Sequence, residues 1–250
     1  MANRGVTAGT ALYLYGVTKS SDAPAKVAVE GIDGVHPVQP IACGGFTCWV
    51  SAVDRETFAG EINRNMENLE WLALHSVRHQ QAVAEIAARA TIVPTRFGTI
   101  FSSEQALRKD VDGRKAALEK VFARISGADE WGVKVFVEPE PAPEIAKEVH
   151  SGKEYLQQKA ARMKRRLDRD DSGLRDLATE LDKIAVASAP TGKVSGGLPN
   201  LLWQAAFLVP RSRHAEWDKT LKKFVNQWGA SRRIEVNGPW PPYSFVSDAE

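Results

Sequence analysis

The sequence predicts an α+β protein of two small domains, each with a mainly antiparallel sheet and helices on one face. Short runs rich in β-branched and aromatic residues alternate with longer amphipathic stretches, and this alternation recurs in both halves of the chain. A length of 250 residues also favours two modest domains. We therefore expect ferredoxin-like βαβ elements in each half, with the strand order left open.

The first half opens with strands. Residues 11–17, "ALYLYGV", predict a strand that closes at Gly16, and residues 46–53, "FTCWVSAV", predict another. The turn-rich segment "GIDGVHPV" between them has room for a short additional strand. Asp54 then follows as the N-cap of a short helix, since its carboxylate can accept the first free backbone N–H groups.

The clearest helix spans residues 66–90, because one stripe of side chains recurs there at alternating steps of three and four residues. The stripe predicted to be buried consists of Leu72, His79, Val83, Ile86 and Ala90. The following segment 91–101, "TIVPTRFGTIF", carries a proline and a glycine, so we expect a short extended or looped piece.

Two more helices and a strand complete the first half. Ser102 or Ser103 caps the helix that starts with "SSEQALRK". Asp112 is predicted to cap the next helix, and Gly127 to end it. The segment "EWGVKVFVEP" then predicts a strand over Trp131–Glu138.

The proline-rich "EPEPAP", residues 138–143, marks the predicted domain boundary, since alternating prolines favour a stiff, extended connection. The N-terminal α+β domain is then 1–138 and the C-terminal α+β domain 139–250, with the strand 131–138 open to either. The second domain ends in a tail rich in proline and aromatic residues.

The second half reads helices, strand, helix, strand. Polar helical stretches cover residues 151–187, and the apolar "NLLWQAAFLVP", residues 200–210, predicts a strand. Residues 213–228 form a strongly amphipathic helix that ends before Gly229, and residues 231–238 form the last strand. The helix face predicted to be buried comprises Trp217, Leu221, Phe224, Val225 and Trp228.

Composition argues against several classes of function. The net charge is +2, from 33 basic and 31 acidic residues, so no global field recruits nucleic acid or an anionic membrane. No segment approaches the roughly 20 apolar residues of a membrane span. The N-terminal apolar run is too short for a signal peptide, and two cysteines fit a reducing compartment. We therefore expect a cytoplasmic protein.

Two pairs of residues have side chains that can bind a metal, but neither pair has the further ligands that a metal site needs. His75 and His79 share one helix face, yet Ser76 stands where a metalloprotease needs glutamate. We favour partly buried histidines with one polar contact each. Cys43 and Cys48 cannot complete a four-ligand zinc site by themselves, so we favour two small apolar residues on a hairpin.

Three further segments resemble phosphate-binding, calcium-binding and nucleic-acid-binding motifs but lack residues or charges that those motifs require. The segment "TGKVSGG" carries Val194 where a phosphate loop needs Ser or Thr, and "DVDG" is followed by Val121 where a calcium loop needs glutamate. The acidic residues of "RMKRRLDRDD", residues 162–171, offset its basic ones, which favours a solvated helix face. We assign no catalytic, cofactor-binding or metal-binding residue, and linear sequence leaves a dispersed catalytic set open.

Three segments in a fixed order carry a resemblance to a known family. They are "LYLYGV" at 12–17, "VPTRFGTIF" at 93–101 followed by "EWGVKVFV" at 130–137, and "GPWPPYSF" at 238–245. This pattern resembles the hallmark segments of the gas vesicle protein family GvpF/GvpL, in the same order and over nearly the whole chain.

The resemblance implies a cytoplasmic accessory protein of gas vesicle assembly, or a minor component of the vesicle, with a two-domain α+β fold. The family has no established catalytic residue or cofactor, so the resemblance transfers none. The expected partners are the apolar major shell subunit and other gas vesicle accessory proteins, with neither nucleic acid nor membrane. Two rivals stay open: a structural role in the finished wall, and a small-molecule-binding or enzymatic protein on ferredoxin-like domains.

Candidates for partner contact come from two of these segments. In the first, Arg96 lies between apolar neighbours and is suited to pair with an acidic group, whereas Phe97 is favoured as a core residue. In the second, Trp240 and Tyr243 lie among prolines. Two interpretations of this tail stay open: a strap with Trp240 and Tyr243 packed on the domain, which we favour, or a peptide presented to a partner.

Overall fold

In the computed structural model, the described residues are 9–138, 172–190, 198 and 200–247. Three of the predicted features lie outside them: the loop "TGKVSGG", the basic segment 162–171 and the proline-rich boundary beyond residue 138.

By its internal contacts the chain divides into two compact units. The first comprises Met1–Glu130 with Pro239–Glu250, and the second comprises Trp131–Gly238. This grouping agrees with one option of the predicted division and differs from it at the C-terminal tail. The strand 131–138 goes with the second unit, which was one of the two options, and the aromatic tail returns to the first unit.

The first unit contains an antiparallel sheet in the order β2-β3-β1-β4, with β5 also paired to β1. Its strands are β1 (Thr10–Lys19), β2 (Gln39–Cys43), β3 (Phe46–Asp54), β4 (Ile92–Pro94) and β5 (Ile100–Phe101). The central strand β1 is buried over nearly its whole length, as its apolar sequence predicts.

The prediction that β1 closes at Gly16 is wrong, since the strand runs on to Lys19. Gly16 is paired on both sides, with Trp49 of β3 and with Pro94 of β4. A Cβ atom at Gly16 would lie 2.7 Å from the carbonyl oxygen of Val93. The glycine is therefore needed for the close approach of two strands and does not mark a chain reversal.

Helices pack on both faces of this sheet, whereas the sequence predicted helices on one face only. Trp49 of β3 packs in the same core cluster as Val83 and Ile86. Phe46, on the opposite face of the same strand, stacks on Phe122 with ring centroids 5.7 Å apart. The predicted α+β class with antiparallel pairing is confirmed.

Side-chain caps explain where three of the five helical segments of the first unit begin. Asp54 and Ser103 are confirmed as N-caps, because their side chains accept backbone N–H groups of the first turn. Asn68 caps the long helix, which therefore starts three residues later than predicted. The helical segments are a π-helical turn (Arg55–Ala59), α1 (Ile62–Asn65), α2 (Leu69–Ala87), α3 (Glu104–Gly113) and α4 (Lys115–Ile125).

The predicted cap at Asp112 is wrong. This residue lies in the last turn of α3, and α4 follows after the single residue Arg114, whose side chain makes no capping hydrogen bond. Gly127 follows the end of α4 with a φ of +72°, as expected of a glycine after a helix C-cap.

The second unit contains a four-stranded sheet in the order β7-β8-β6-β9. The described elements that lie wholly or mostly in this unit are β6 (Ala128–Val137), α5 (172–182), β7 (Ala187–Pro190), β8 (Leu201–Pro210), α6 (His214–Trp228) and β9 (Arg232–Trp240). This strand–helix–strand–strand–helix–strand succession has the element order of a split βαβ motif. The ferredoxin-like elements stay a prediction.

Helix α6 follows the predicted amphipathic pattern with two differences, at Val225 and at Trp228, which is only partly buried. Trp217, Leu221 and Phe224 are buried in the core of the second unit. Val225 is exposed instead, because it lies at the edge of the stripe. Gly229 ends the helix with a φ of +53°.

Candidate functional site

A buried histidine lies where all three family-like segments meet. His79 of α2 places its Nδ1 atom 2.9 Å from the phenol oxygen of Tyr13 on β1. Its Nε2 atom lies 3.2 Å from the phenol oxygen of Tyr243 in the tail. The N–H of Gly98 donates to the oxygen of Tyr13 at 3.1 Å. A neutral imidazole offers one donor and one acceptor, so both tyrosine contacts can form at once.

Burial keeps this network uncharged near neutral pH. Desolvation lowers the pKa of His79 to about 4, against the hydrogen bond with the Thr95 backbone, which favours the charged form. Desolvation also raises the pKa of Tyr15 to about 12 and raises the pKa values of Tyr13 and Tyr243. The four side chains therefore act as neutral hydrogen-bonding groups and not as acids or bases at physiological pH.

Aromatic rings surround the histidine on several sides. Tyr15 stacks on His79 at a centroid distance of 5.8 Å, and Phe97 meets it edge-on at 5.9 Å. The rings of Tyr13 and Tyr15 lie 5.0 Å apart. Edge-to-face and offset arrangements of this kind stabilise a core beyond the area they bury.

The loop between β4 and β5, residues 95–99, is fixed to β1 by hydrogen bonds. The hydroxyl of Thr95 donates to the carbonyl of Leu14 at 2.7 Å, and the N–H of Leu14 donates to the carbonyl of Thr99 at 2.9 Å. The register of β1 against β3 shifts between Leu14 and Gly16, at the point the loop spans. The loop thus bridges an irregularity of the central strand.

The C-terminal segment, residues 239–246, which we call the C-terminal strap, makes hydrogen bonds to the first unit through three consecutive residues, Tyr243, Ser244 and Phe245. Tyr243 contacts α2 through His79. The backbone N–H and hydroxyl of Ser244 donate to the two carboxylate oxygens of Glu130 at 2.8 and 2.7 Å. The carbonyl of Phe245 accepts a hydrogen bond from Arg124 of α4, and its ring is buried. These contacts have the geometry of a strap tied down on its own unit.

The four sequence-derived contact candidates fall into two groups. Phe97 and Tyr243 pack against the core cluster of the first unit, so their rings serve the fold. Arg96 is exposed, and Trp240 is 53% exposed. The expectation that Trp240 packs on the domain is therefore wrong, because the strap buries Tyr243 and Phe245 instead. Contact with a partner stays a prediction for all four residues.

Sequence reasoning missed an exposed apolar surface on α2. Leu69 is 79% exposed, Leu74 51% and Val77 55%. Leu74 and Val77 lie on the side opposite the buried stripe, and Leu69 lies on the flank of the first turn. We call these three residues the outer face of α2. Exposed alanines and glutamines continue this surface, namely Ala73, Gln80, Gln81 and Ala84. The signal was present in the sequence as apolar residues of α2 that lie outside the one stripe needed for the core.

One surface concavity is lined by a single helix, α6, and is open to solvent; its lining residues are Ala215, Asp218, Lys219, Lys222, Lys223 and Asn226. Within the described part of the chain, no group of three or more His, Cys, Asp or Glu side chains is placed to hold a metal ion. The open concavity on α6 differs from the enclosed, mostly apolar pockets that bind small ligands.

Comparison with known proteins identifies the family. A family model described as "Gas vesicle synthesis protein GvpL/GvpF" matches residues 11–247. The chain belongs to the GvpL/GvpF family. Gas vesicle protein L of Streptomyces sp. (strain CB03234) is 30% identical over 255 residues, which cover 95% of this chain and 93% of that relative. The resemblance drawn from the sequence is confirmed.

Solved structures agree on the fold. The crystal structure of the gas vesicle protein GvpF from Anabaena sp. PCC7120 matches with a TM-score of 0.70 at 21% identity, covering 95% of this chain and 96% of that one. The structure of GvpF from Microcystis aeruginosa matches with a TM-score of 0.67 at 22% identity, covering 95% and 99%. Membership of this GvpL/GvpF family supports a role in gas vesicle formation. None of the described helices combines the length and apolarity that a membrane span requires.

Proposed function

We propose that this GvpL/GvpF protein is a cytoplasmic, non-enzymatic assembly factor that binds the apolar major shell subunit of the gas vesicle and delivers it to the growing wall. The observation that carries the proposal is the outer face of α2, where Leu69, Leu74 and Val77 are more than half exposed. Other gas vesicle accessory proteins are proposed as further partners.

The chemistry of a gas vesicle explains why such a factor is needed. The wall is wetted outside and excludes water inside, so its main subunit has one very apolar face. Before assembly, that face and any free strand edge favour aggregation. A soluble protein with a rigid apolar helix face can cover part of this surface until the subunit is added to the wall.

The size of the outer face fits reversible binding. Burying each of its three large side chains contributes on the order of 1–2 kcal/mol, since each is only partly covered at present. Association costs several kcal/mol in lost translational and rotational freedom. The difference between this burial gain and this association cost predicts a contact of modest affinity, which suits a factor that must release the shell subunit.

Fixed positioning of α2 supports the same proposal. The helix is held from beneath by His79 and by the strap, and Arg78 donates from its flank to the carbonyl of Ile32 at 3.3 Å. The outer face is therefore presented on a rigid element, which lowers the ordering cost of binding.

The test is capture of the purified major shell subunit by the full chain, together with light scattering of that subunit during dilution from denaturant. We expect the wild type to bind and to suppress aggregation. The double variant Leu74→Glu/Val77→Glu should reduce capture at least about ten-fold, because two carboxylates on an apolar interface each leave a charge to desolvate. Val225→Glu on α6 is the matched control, an exposed helical valine of the second unit.

Two outcomes contradict the proposal. One is wild-type protein that neither binds the shell subunit nor reduces its aggregation. The other is equal loss of capture in the α2 variant and the Val225→Glu control. A separate wash of isolated vesicles with strong denaturant distinguishes the rival structural role, because an integral wall component resists removal and a transient factor does not.

A further inference from the structure

Two cysteines of the first unit are close enough to react with each other. The Sγ atoms of Cys43 and Cys48 lie 3.0 Å apart, both thiols are free and both residues are buried. Cys43 ends β2, and Cys48 is the third residue of β3, the adjacent antiparallel strand. A disulfide has a sulfur–sulfur distance of about 2.05 Å. The two sulfurs are therefore about one ångström further apart than in a disulfide.

The hairpin between the thiols is tight and needs its glycines. Gly44 and Gly45 connect the strands with φ values of +56° and +95°, a region that other residues rarely adopt. The backbone N–H of Ser20 donates to the carbonyl of Gly45 at 3.1 Å. This fixed turn holds the two sulfurs in proximity.

The surroundings make the two thiols unequal. The hydrogen bond from Cys48 lowers the pKa of the Cys43 thiol, and the nearby positive charge of Arg108 lowers it further, against the effects of burial, Glu104 and Asp112. Cys43 and burial raise the pKa of Cys48. Cys43 therefore carries the more nucleophilic sulfur, and Cys48 holds its proton.

We propose that Cys43 and Cys48 form a peroxide-sensitive dithiol, which oxidises to an intrachain disulfide that closes the β2–β3 hairpin. The Cys43 thiolate attacks one oxygen of hydrogen peroxide, the O–O bond breaks, and the hydroxide released takes up a proton to form water. The Cys48 sulfur then attacks the resulting sulfenic acid. The hydroxide that leaves accepts the Cys48 proton as a second water, so two thiols and one peroxide give one disulfide and two waters.

Access to the buried pair is through the edge of the sheet. β2 is a five-residue edge strand, and only its last residue, Cys43, is fully buried. Short edge strands open locally at low free-energy cost, which admits a small oxidant such as peroxide more readily than a bulky disulfide. Reaction should therefore be faster with hydrogen peroxide than with oxidised glutathione at equal concentration.

Closure of the ring would fix a hairpin that contacts two helices. Arg108 of α3 donates to the carbonyl of Ala42, next to Cys43. Phe46, between the turn and Cys48, stacks on Phe122 of α4. Oxidation would thus hold β2 against β3 and oppose local opening of this edge strand.

The test is peroxide titration of the full native chain, read by alkylation of remaining thiols and by intact mass. We expect both thiols to become unreactive together, with a mass lower by two hydrogen atoms and full recovery on adding dithiothreitol. The Cys48→Ser variant, which keeps a hydroxyl donor beside Cys43, should instead form a sulfenic acid that dimedone traps. The Cys43→Ser variant should show little reaction at the same dose.

Three results would contradict the proposal or the roles assigned to the two cysteines. Two thiols that stay alkylatable in the wild type after peroxide treatment overturn the proposal, as do disulfide-linked dimers formed in place of the intrachain bond. Equal dimedone labelling of the two single variants overturns the assigned roles. None of these readouts depends on the shell subunit, so the result is independent of the proposed binding function.

Discussion

The Nε2 atom of His79 lies 3.2 Å from the phenol oxygen of Tyr243, across 164 residues of sequence. The other ring nitrogen contacts Tyr13 at 2.9 Å. One imidazole therefore joins a helix, the central strand and the end of the chain within the first unit. Because the group is buried and neutral, its contribution comes from satisfied hydrogen bonds and close packing, with little contribution from charge.

The phenol of Tyr243 provides the most direct test of this junction. Tyr243→Phe keeps the ring but removes the hydroxyl, which leaves one nitrogen of His79 without its partner. We expect the free energy of unfolding to fall by about 1–2 kcal/mol, measured by urea denaturation. Trp240→Phe is the control, since the side chain of Trp240 is 53% exposed and its replacement should change stability by less than about 0.5 kcal/mol. Equal effects of the two substitutions would contradict the junction.

Removing the whole strap should have a larger effect. Ending the chain after Asn237 removes the last three residues of β9, removes the bonds from Ser244 to Glu130 and exposes the site of the buried Phe245. Loss of a buried phenylalanine alone costs about 3–5 kcal/mol, so the Tm of the first unit should fall by at least about 10 °C. Differential scanning calorimetry measures this directly. An unchanged Tm combined with lost shell-subunit binding would instead support a presented peptide.

Local features of the fold were predictable because their causes are local. Asp54 and Ser103 cap helices through bonds to residues two or three positions away. Gly127 ends α4 because a glycine readily adopts positive φ. Each of these signals is complete within one turn of the chain, so the sequence alone contains it.

Long-range features were not predictable in the same way. Gly16 resembled a strand end, yet its role depends on Trp49 and Pro94, which come from two other strands. The partners of His79 are 66 and 164 residues distant. The outer face of α2 required knowing which stripe of the helix is buried, since Leu69 and Leu72 are equally apolar in the sequence but differ in exposure.

Acid should weaken the first unit through His79. Its folded-state pKa of about 4 lies below the ordinary value of 6.5, so between these values the unfolded chain binds the proton and the native state does not. Stability is therefore greatest above pH 6.5 and is lost as pH falls toward 4. Between pH 7 and 5 the expected loss from this group is about 2 kcal/mol.

The variant His79→Gln isolates that contribution. Glutamine retains hydrogen-bonding capacity but does not titrate, so its stability should be lower than that of the wild type at pH 7 and flatter between pH 7 and 5. The measurement is the difference in urea-derived free energy between the two proteins at each pH. His75, whose pKa burial also lowers, and Glu130, whose pKa burial raises, are present in both and cancel. Parallel pH profiles would contradict the assignment.

The strand contact at Gly16 predicts that an alanine substitution there destabilises the protein much more than one at Gly113. A Cβ at Gly16 would lie 2.6 Å from Cδ1 of Ile92 and 2.7 Å from the carbonyl oxygen of Val93, and the second atom cannot move without breaking the β1–β4 pairing. Gly16→Ala should therefore destabilise the protein by about 2–3 kcal/mol, measured by urea denaturation. At Gly113, in the last turn of α3, a Cβ meets nothing within 4 Å, so Gly113→Ala should be neutral or stabilise by up to about 1 kcal/mol. If both alanines had the same effect, the close approach of β4 would not be the reason that β1 carries a glycine.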